Sequence, residues 1–458
     1  MEISLRPTLK RFWLPLLVTL PLAGMLLATP LWQRWREGTA GLDPSYRYHF
    51  IQPPSDSITL ALGREIAFYQ ERVSRNPQDG LDRTSLASTY LKMARATGDA
   101  NWYVLAEQEA KRSLTNLPFN NYGATLVLAR VAEAKHEFKQ AIQLANQVLQ
   151  GQPDNSDAFS ILVTANLAIG KVDAADRAAD LLVGQIPTQG SLALRALVKV
   201  AQGKDAVAIE NFRQALAAEE PGETGSSAWT RTLLARFYFK RGNPQQAIAL
   251  YNETLRVLPK YPLALVNLAE LETRLGRYQA AEQHYSQVFV SPAYPNVFDH
   301  VALQGLSRIK QLQGDSVAAK DLRDKAENLL RQHLSLNAFG HRRVLARLLL
   351  DGGDSADVAE ALTLMQAEVK VRRDAETLDT LAWALSRSGR WQEARQVMQE
   401  ALRWGIRDAA MFYRAGAIEQ ALGNPTQAIA YFERAQATDP SFNEQARQTI
   451  GLGGEIGY

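Results

Sequence analysis

The chain has 458 residues, of which 22% are charged, and a formal net charge of +3. A charge so balanced gives no electrostatic footprint for nucleic acid. There is no cysteine, which excludes disulfides, thiolate metal sites and cysteine nucleophiles and leaves the compartment open.

Residues 1–11 carry Arg6, Lys10 and Arg11, and residues 12–33 carry no charge at all. As a helix that run spans about 33 Å, against a hydrocarbon core of about 30 Å. Trp13 at one end, and Trp32 and Trp35 at the other, stand where interfacial aromatics belong. A single transmembrane helix over 12–33 is therefore expected. The competing reading is a cleaved signal peptide. Its motif is poor, because Leu26 and Ala28 occupy the key positions and Pro30 follows the cut. Glu37 and Asp43 dilute the positive charge beyond the run, so residues 1–11 are expected in the cytoplasm and the rest of the chain outside it. The Lys/Arg counts alone are nearly tied, which leaves the reverse orientation open.

Residues 34–55 read as a tether that ends in Pro53-Pro54. Residues 56–83 read as a capping helix region. Ser55, Asp56 and Ser57 can cap a helix over 57–75, with Ile58, Leu62, Ile66 and Val73 near helical spacing and Asn76-Pro77 as its stop.

Beyond this the sequence repeats. Leu234-Ala235, Tyr238, Gly242, Ala247, Tyr251 and Pro259 are echoed 34 residues later by Leu268-Ala269, Gly276, Ala281 and Tyr285. A period of that length predicts pairs of short helices that bury their apolar faces only by stacking. The alanines let helices cross closely, the tyrosines fill space toward the next unit, and the glycines sit in turns. The pattern recurs from Leu86-Ala87 and Tyr90 to Phe412, Gly423, Ala428 and Pro440. It divides into units 1–4 over 84–220, units 5–6 over 221–290 and units 7–10 over 291–448, with a flexible tail at 449–458. Units 7 and 8 lack the aromatic and the closing proline. Turn-forming stretches at 220–227 and 291–296 read as long loops between units.

No motif carries chemistry. The histidines have no metal-ligand spacing, and Leu362 stands where a calcium loop around Asp351, Asp354 and Asp357 would need Glu. Gly451-Leu452-Gly453-Gly454 has no preceding strand to make a phosphate cradle.

The repeated residues resemble the tetratricopeptide repeat. The resemblance covers roughly residues 56–448. It implies an all-α, right-handed superhelical solenoid of about ten helix-turn-helix repeats, preceded here by the transmembrane helix. In this family the first helix of each unit lines a concave groove, and the residue after the small alanine points into it. That position holds Arg130, Arg236, Arg308, Arg347 and Trp383, with Lys240 one turn beyond Arg236 and Glu270 interrupting the series. Arginine forks suit carboxylate or phosphate groups, so Arg236 and Arg308 are expected to be solvated and to hold an acidic peptide or other anion. Asn267 matches the carboxylate-clamp subclass, but Thr232 and Val301 stand where that subclass needs lysines.

The expectation is a non-enzymatic, cofactor-free scaffold anchored in a membrane. It would bind proteins or peptides, acidic ones among them, and no nucleic acid, to organise a membrane or envelope complex. Two alternatives remain: an accessory subunit of an enzyme that processes an envelope glycan, and a cytoplasm-facing adaptor.

Overall fold

Helix starts follow from short polar side chains. The side chains of Asp79, Asn121, Asn155, Thr188, Asn243, Asp354, Asp374 and Asp408 each accept a backbone N–H of the helix that follows, which satisfies donors that a helix end leaves open. The computed structural model describes residues 41–51, 57–289, 297–335, 341–352 and 354–448. Among these there are twenty-two α-helices and no strand. Helix α1 (Ser57–Arg75) precedes ten pairs, and α22 (Glu444–Gln448) follows them. Units 1 to 4 are α2 (Gly80–Thr97) with α3 (Asn101–Asn116), α4 (Tyr122–Ala134) with α5 (Phe138–Gly151), α6 (Ser156–Ala168) with α7 (Val172–Gln185), and α8 (Gln189–Ala201) with α9 (Asp205–Ala217). Units 5 to 7 are α10 (Thr224–Lys240) with α11 (Pro244–Val257), α12 (Pro262–Arg274) with α13 (Tyr278–Ser286), and α14 (Asp299–Leu312) with α15 (Ser316–Ser335). Units 8 to 10 are α16 (Arg342–Gly352) with α17 (Ser355–Glu368), α18 (Ala375–Arg387) with α19 (Trp391–Leu402), and α20 (Ala409–Ala421) with α21 (Pro425–Thr438).

The packing follows the small–large code of the sequence. Ala235, Ala247, Ala269 and Ala281 are fully buried at the crossings, as are Tyr251 and Tyr285. A Cβ built on Gly305 would lie 2.1 Å from the Tyr285 ring, so this tyrosine fills space against the next unit. Gly242 and Gly276 sit at φ +69° and +74°, the left-handed conformation expected of these turns. Of the 220–227 stretch, Thr224–Ser227 belongs to the first turn of α10, so the loop is shorter than its composition suggested.

The solenoid coils until its successive turns touch. In units 1, 3, 4 and 5 the turn inside the unit meets the loop that follows the unit five places on. In unit 1 the Gly98 carbonyl accepts the Val297 N–H at 3.2 Å, and in unit 3 the Ala168 carbonyl accepts the Arg373 N–H at 2.7 Å. In unit 4, Gly203 lies so close to Gly405 that a Cβ on Gly203 would stand 2.0 Å from the Gly405 carbonyl oxygen. In unit 5, a Cβ on Gly242 would meet Asp439 Oδ1 at 2.6 Å. Side chains tie the seam. Asp205 takes two hydrogen bonds from Arg241, at 2.8 and 2.9 Å, and one from Arg407 at 2.6 Å. Arg241 also donates to the Arg407 carbonyl at 2.7 Å, and Arg274 pairs with Asp439 at 2.5 Å.

The described part of the stretch read as a tether, residues 41–51, is packed against units 4 and 5. Leu42, Tyr46 and Tyr48 are buried. Arg231 Nε donates to the Tyr46 carbonyl at 2.8 Å, and the Tyr48 N–H donates to Glu253 at 2.8 Å. Arg256 donates to the Tyr48 carbonyl at 3.1 Å, and Gln246 to the Gly41 carbonyl at 2.8 Å. The physical reason is local: Tyr46, at the end of a short 3-10 turn over Pro44–Tyr46, and Tyr48 find an apolar gap between helices, and a buried arginine needs a carbonyl acceptor. The expected transmembrane run 12–33, the 291–296 loop and the tail lie outside the described residues. No described helix is long and apolar enough to cross a membrane.

Candidate binding channel

Because coil turns touch, the concave face becomes the wall of a channel. One space in it, about 1020 Å³ and open to solvent, is lined by first helices of units 5 to 10 and by the segment that follows unit 10. Phe239, Val301, Val344, Met411 and Phe442 supply apolar wall, and charged side chains lie between them. A second space lies between units 3 to 5 and units 8 to 10, with Phe212, Phe237 and Trp404 among its walls.

Most of the charges are already matched. Lys240 reaches across the channel to Glu376 at 2.9 Å and Asp408 at 3.0 Å. Arg236 pairs with Glu270 at 3.0 Å and also donates to Asn267. Arg414 pairs with Asp379 at 2.7 Å. Arg347 is the exception: it is half-buried, lines the channel and forms no ion pair among the described residues. Beside it in the lining, Gln304 Nε2 is buried without an acceptor. An unmet buried donor costs about 1–3 kcal/mol, so both groups have bonding capacity left for a guest.

Titration behaviour follows from the same contacts. Glu376 lies well below its ordinary 4.5, chiefly through the Lys240 charge, which with Arg343 and Arg236 outweighs burial. Burial alone would raise Asp408, but Lys240 and the Met411 backbone N–H bring it below 3.8. Burial opposes the Lys240 charge as well, yet Asp408 and Glu376 hold its pKa above 10.5. Carboxyls depressed on folding contribute full stability above their unfolded values and lose it as pH falls through their folded ones. The crossing from unit 5 to units 9 and 10 is therefore expected to hold from neutrality down to pH 4.5 and to loosen below it. Small-angle scattering during acidification reads this as a growing radius of gyration, and constant dimensions through complete carboxylate protonation would refute it.

The residues singled out from the sequence do not form one site. Arg236 and Lys240 reach the channel together with Arg347. Arg236 is not solvated: its side chain is 11% exposed, and Glu270, the residue that interrupts the arginine series, is its counter-ion. Arg308 turns aside to Asp351 at 3.2 Å and Gln311 at 2.9 Å. Arg130 pairs with Glu133 at 2.9 Å and also reaches Ser160. Trp383 is half-buried beneath the Arg414 guanidinium, 4.7 Å from its ring centre. Sequence reasoning missed Gln304, Arg274, Glu376 and Asp408. Only Arg274 carried a signal, since it stands five residues after Ala269 as Lys240 stands five after Ala235.

Comparison with known proteins finds the repeat in part of the chain. Tetratricopeptide-repeat family models match residues 232–296 and 380–441, and another matches 189–260. The chain is thus an all-helical solenoid that carries tetratricopeptide repeats. Cellulose synthase operon protein C of Pseudomonas fluorescens (strain SBW25) is 30% identical over 172 residues, 35% of this chain and 13% of that protein. The protein of the same name from Xanthomonas axonopodis pv. citri (strain 306) is 29% identical over 207 residues, 42% of this chain and 13% of its own length. The matches thus span about an eighth of these relatives. Among solved structures, the human IFIT1 dimer with PPP-AAAA is 14% identical, over 83% of this chain and 87% of that one, with a TM-score of 0.46. A tetratricopeptide repeat protein from Parabacteroides merdae ATCC 43184 is 19% identical, over 53% of this chain and 92% of that one, with a TM-score of 0.38.

Proposed function

We propose that the chain is a non-enzymatic scaffold that holds a segment of a partner protein in its channel and works at a membrane, to which the apolar run 12–33 anchors it. The observation that carries this reading is the pairing of unspent polar groups, Arg347 and Gln304, with an apolar wall of Val301, Val344 and Met411. Such a mixture grips a peptide by both contact and orientation. The acidic partner expected from the arginine series is disfavoured. The cations Arg236, Lys240, Arg274 and Arg347 are faced by Glu270, Glu376, Asp379, Asp408 and Asp439. The channel suits a mainly apolar segment with a single carboxylate or other acceptor at Arg347.

The test is co-purification from mild detergent with the wild-type chain and with Arg347→Glu. The reversal is expected to weaken partner binding about tenfold or more, a loss of about 1.4 kcal/mol, while the helical spectrum stays unchanged. Full retention of the partner would move the binding surface elsewhere. A second reading is an accessory role in making or exporting an envelope polymer. It rests on the likeness to cellulose synthase operon protein C, and co-purifying polymer-synthesis proteins would favour it. In either reading the repeats lie outside the cytoplasm, on the charge asymmetry around the apolar run. Protease added to spheroplasts should then digest the repeats, and complete protection would reverse the orientation.

A further inference from the structure

We infer that the arm at residues 41–51 is a fixed mount, which holds the outer face of units 4 and 5 against the lipid bilayer. The inference rests on the anchor reading above and adds to it which side of the coil meets the membrane. Its basis is the hold that units 4 and 5 keep on Gly41, Leu42, Tyr46 and Tyr48.

A free tether would let the solenoid swivel. The chain from residue 33 to α1 at Ser57 has 24 steps and could reach about 80 Å at full extension. The arm removes most of that freedom. Gly41 is already bonded to Gln246 on α11, and Leu42 is buried beside it. Only eight steps separate residue 33 from Gly41, so α11 is held within about 28 Å of the end of the apolar run. The attachment is firm. Tyr46 and Tyr48 are each 4% exposed, and their carbonyls are bonded by Arg231 and Arg256. Arg231 is itself fully buried and paired with Glu219, and its Nε loses the Tyr46 carbonyl if the arm leaves.

The seam turns this point attachment into an orientation. Five units complete about one turn of the coil, because the turns of units 1, 3, 4 and 5 each meet the loop after the unit five places on. Unit 10 therefore lies on the same flank as units 4 and 5, and unit 7 lies on the opposite one. With that flank on the bilayer, the channel runs along the membrane rather than into it.

The cysteine-free sequence makes the test clean. Single-cysteine variants Val207→Cys on α9, Ile429→Cys on α21 and Val317→Cys on α15 place a fluorophore on exposed sites of units 4, 10 and 7. The full-length protein is reconstituted in phosphatidylcholine–phosphatidylglycerol vesicles that carry acceptor-labelled headgroups. Energy transfer from 207 and 429 should clearly exceed that from 317. Inserting a long flexible Gly/Ser linker between residues 33 and 41, which leaves the arm and the fold untouched, should abolish the difference. Tyr46→Ala with Tyr48→Ala should do the same if circular dichroism shows the helices intact. Equal transfer from all three sites in the parent protein overturns the mount, and so does a difference that survives the linker. Failure of the protein to float with the vesicles overturns the anchor itself, and the mount with it.

Discussion

Arg231→Ala should destabilise the chain by about 3–5 kcal/mol, the usual cost of leaving one member of a buried ion pair alone. Arg231 is, with Arg343, the largest fully buried side chain among the described residues, and the side chain of its partner Glu219 is 3% exposed. Without the guanidinium, Glu219 keeps only the Gln189 amide at 3.2 Å, and the Tyr46 carbonyl loses its donor. The damage should be local, because repeats couple mainly to their neighbours. Hydrogen exchange is expected to rise in α10, in α11 and in residues 41–51, and much less in units 1 and 2. Replacing both partners with apolar groups, Arg231→Met with Glu219→Leu, should recover most of the loss, since no buried charge is then left unpaired. A single variant as stable as the parent would show that the pair and the arm contribute nothing net.

Gly203→Val should part the seam. Gly203 sits at φ +68°, where a branched side chain is strained, and even a Cβ alone would overlap the Gly405 carbonyl. The backbone penalty is about 1–2 kcal/mol. The steric one is larger and is relieved only by moving units 9 and 10 away from unit 4. Arg407 would then lose Asp205, Arg241 would lose the Arg407 carbonyl, and the closed coil would extend. Small-angle scattering should show a larger radius of gyration with unchanged helix content. Unaltered dimensions would mean that the seam is not what holds the coil closed. The same variant should open the channel, so a partner that must enter sideways is expected to bind faster.

Much of the fold was legible because helix pairing is local. The spacing of Ala235, Ala247 and Tyr251, and its echo at Ala269, Ala281 and Tyr285, specifies which faces cross and which side chain fills the gap to the next unit. The turn glycines were read for their backbone freedom, and that reading was incomplete. Gly203 is also the point where two turns of the coil touch. The candidate site was legible only in part. Register placed Arg236, Lys240 and Arg347 on the channel wall but could not show which of them were already neutralised.

The sequence by itself determined the helices, their pairing, their stacking order and the uncharged run 12–33, since each depends on residues a few turns apart. Only the tertiary structure decided that the groove is closed, that Lys240 meets Glu376 across 136 residues and that Arg407 meets Asp205 across 202. The same holds for the arm, whose Tyr46 carbonyl meets Arg231 across 185 residues. The physical reason is cumulative geometry. Each unit turns slightly against the last, and the sum over five units decides which distant loops coincide. No local pattern of apolar and polar residues records that sum.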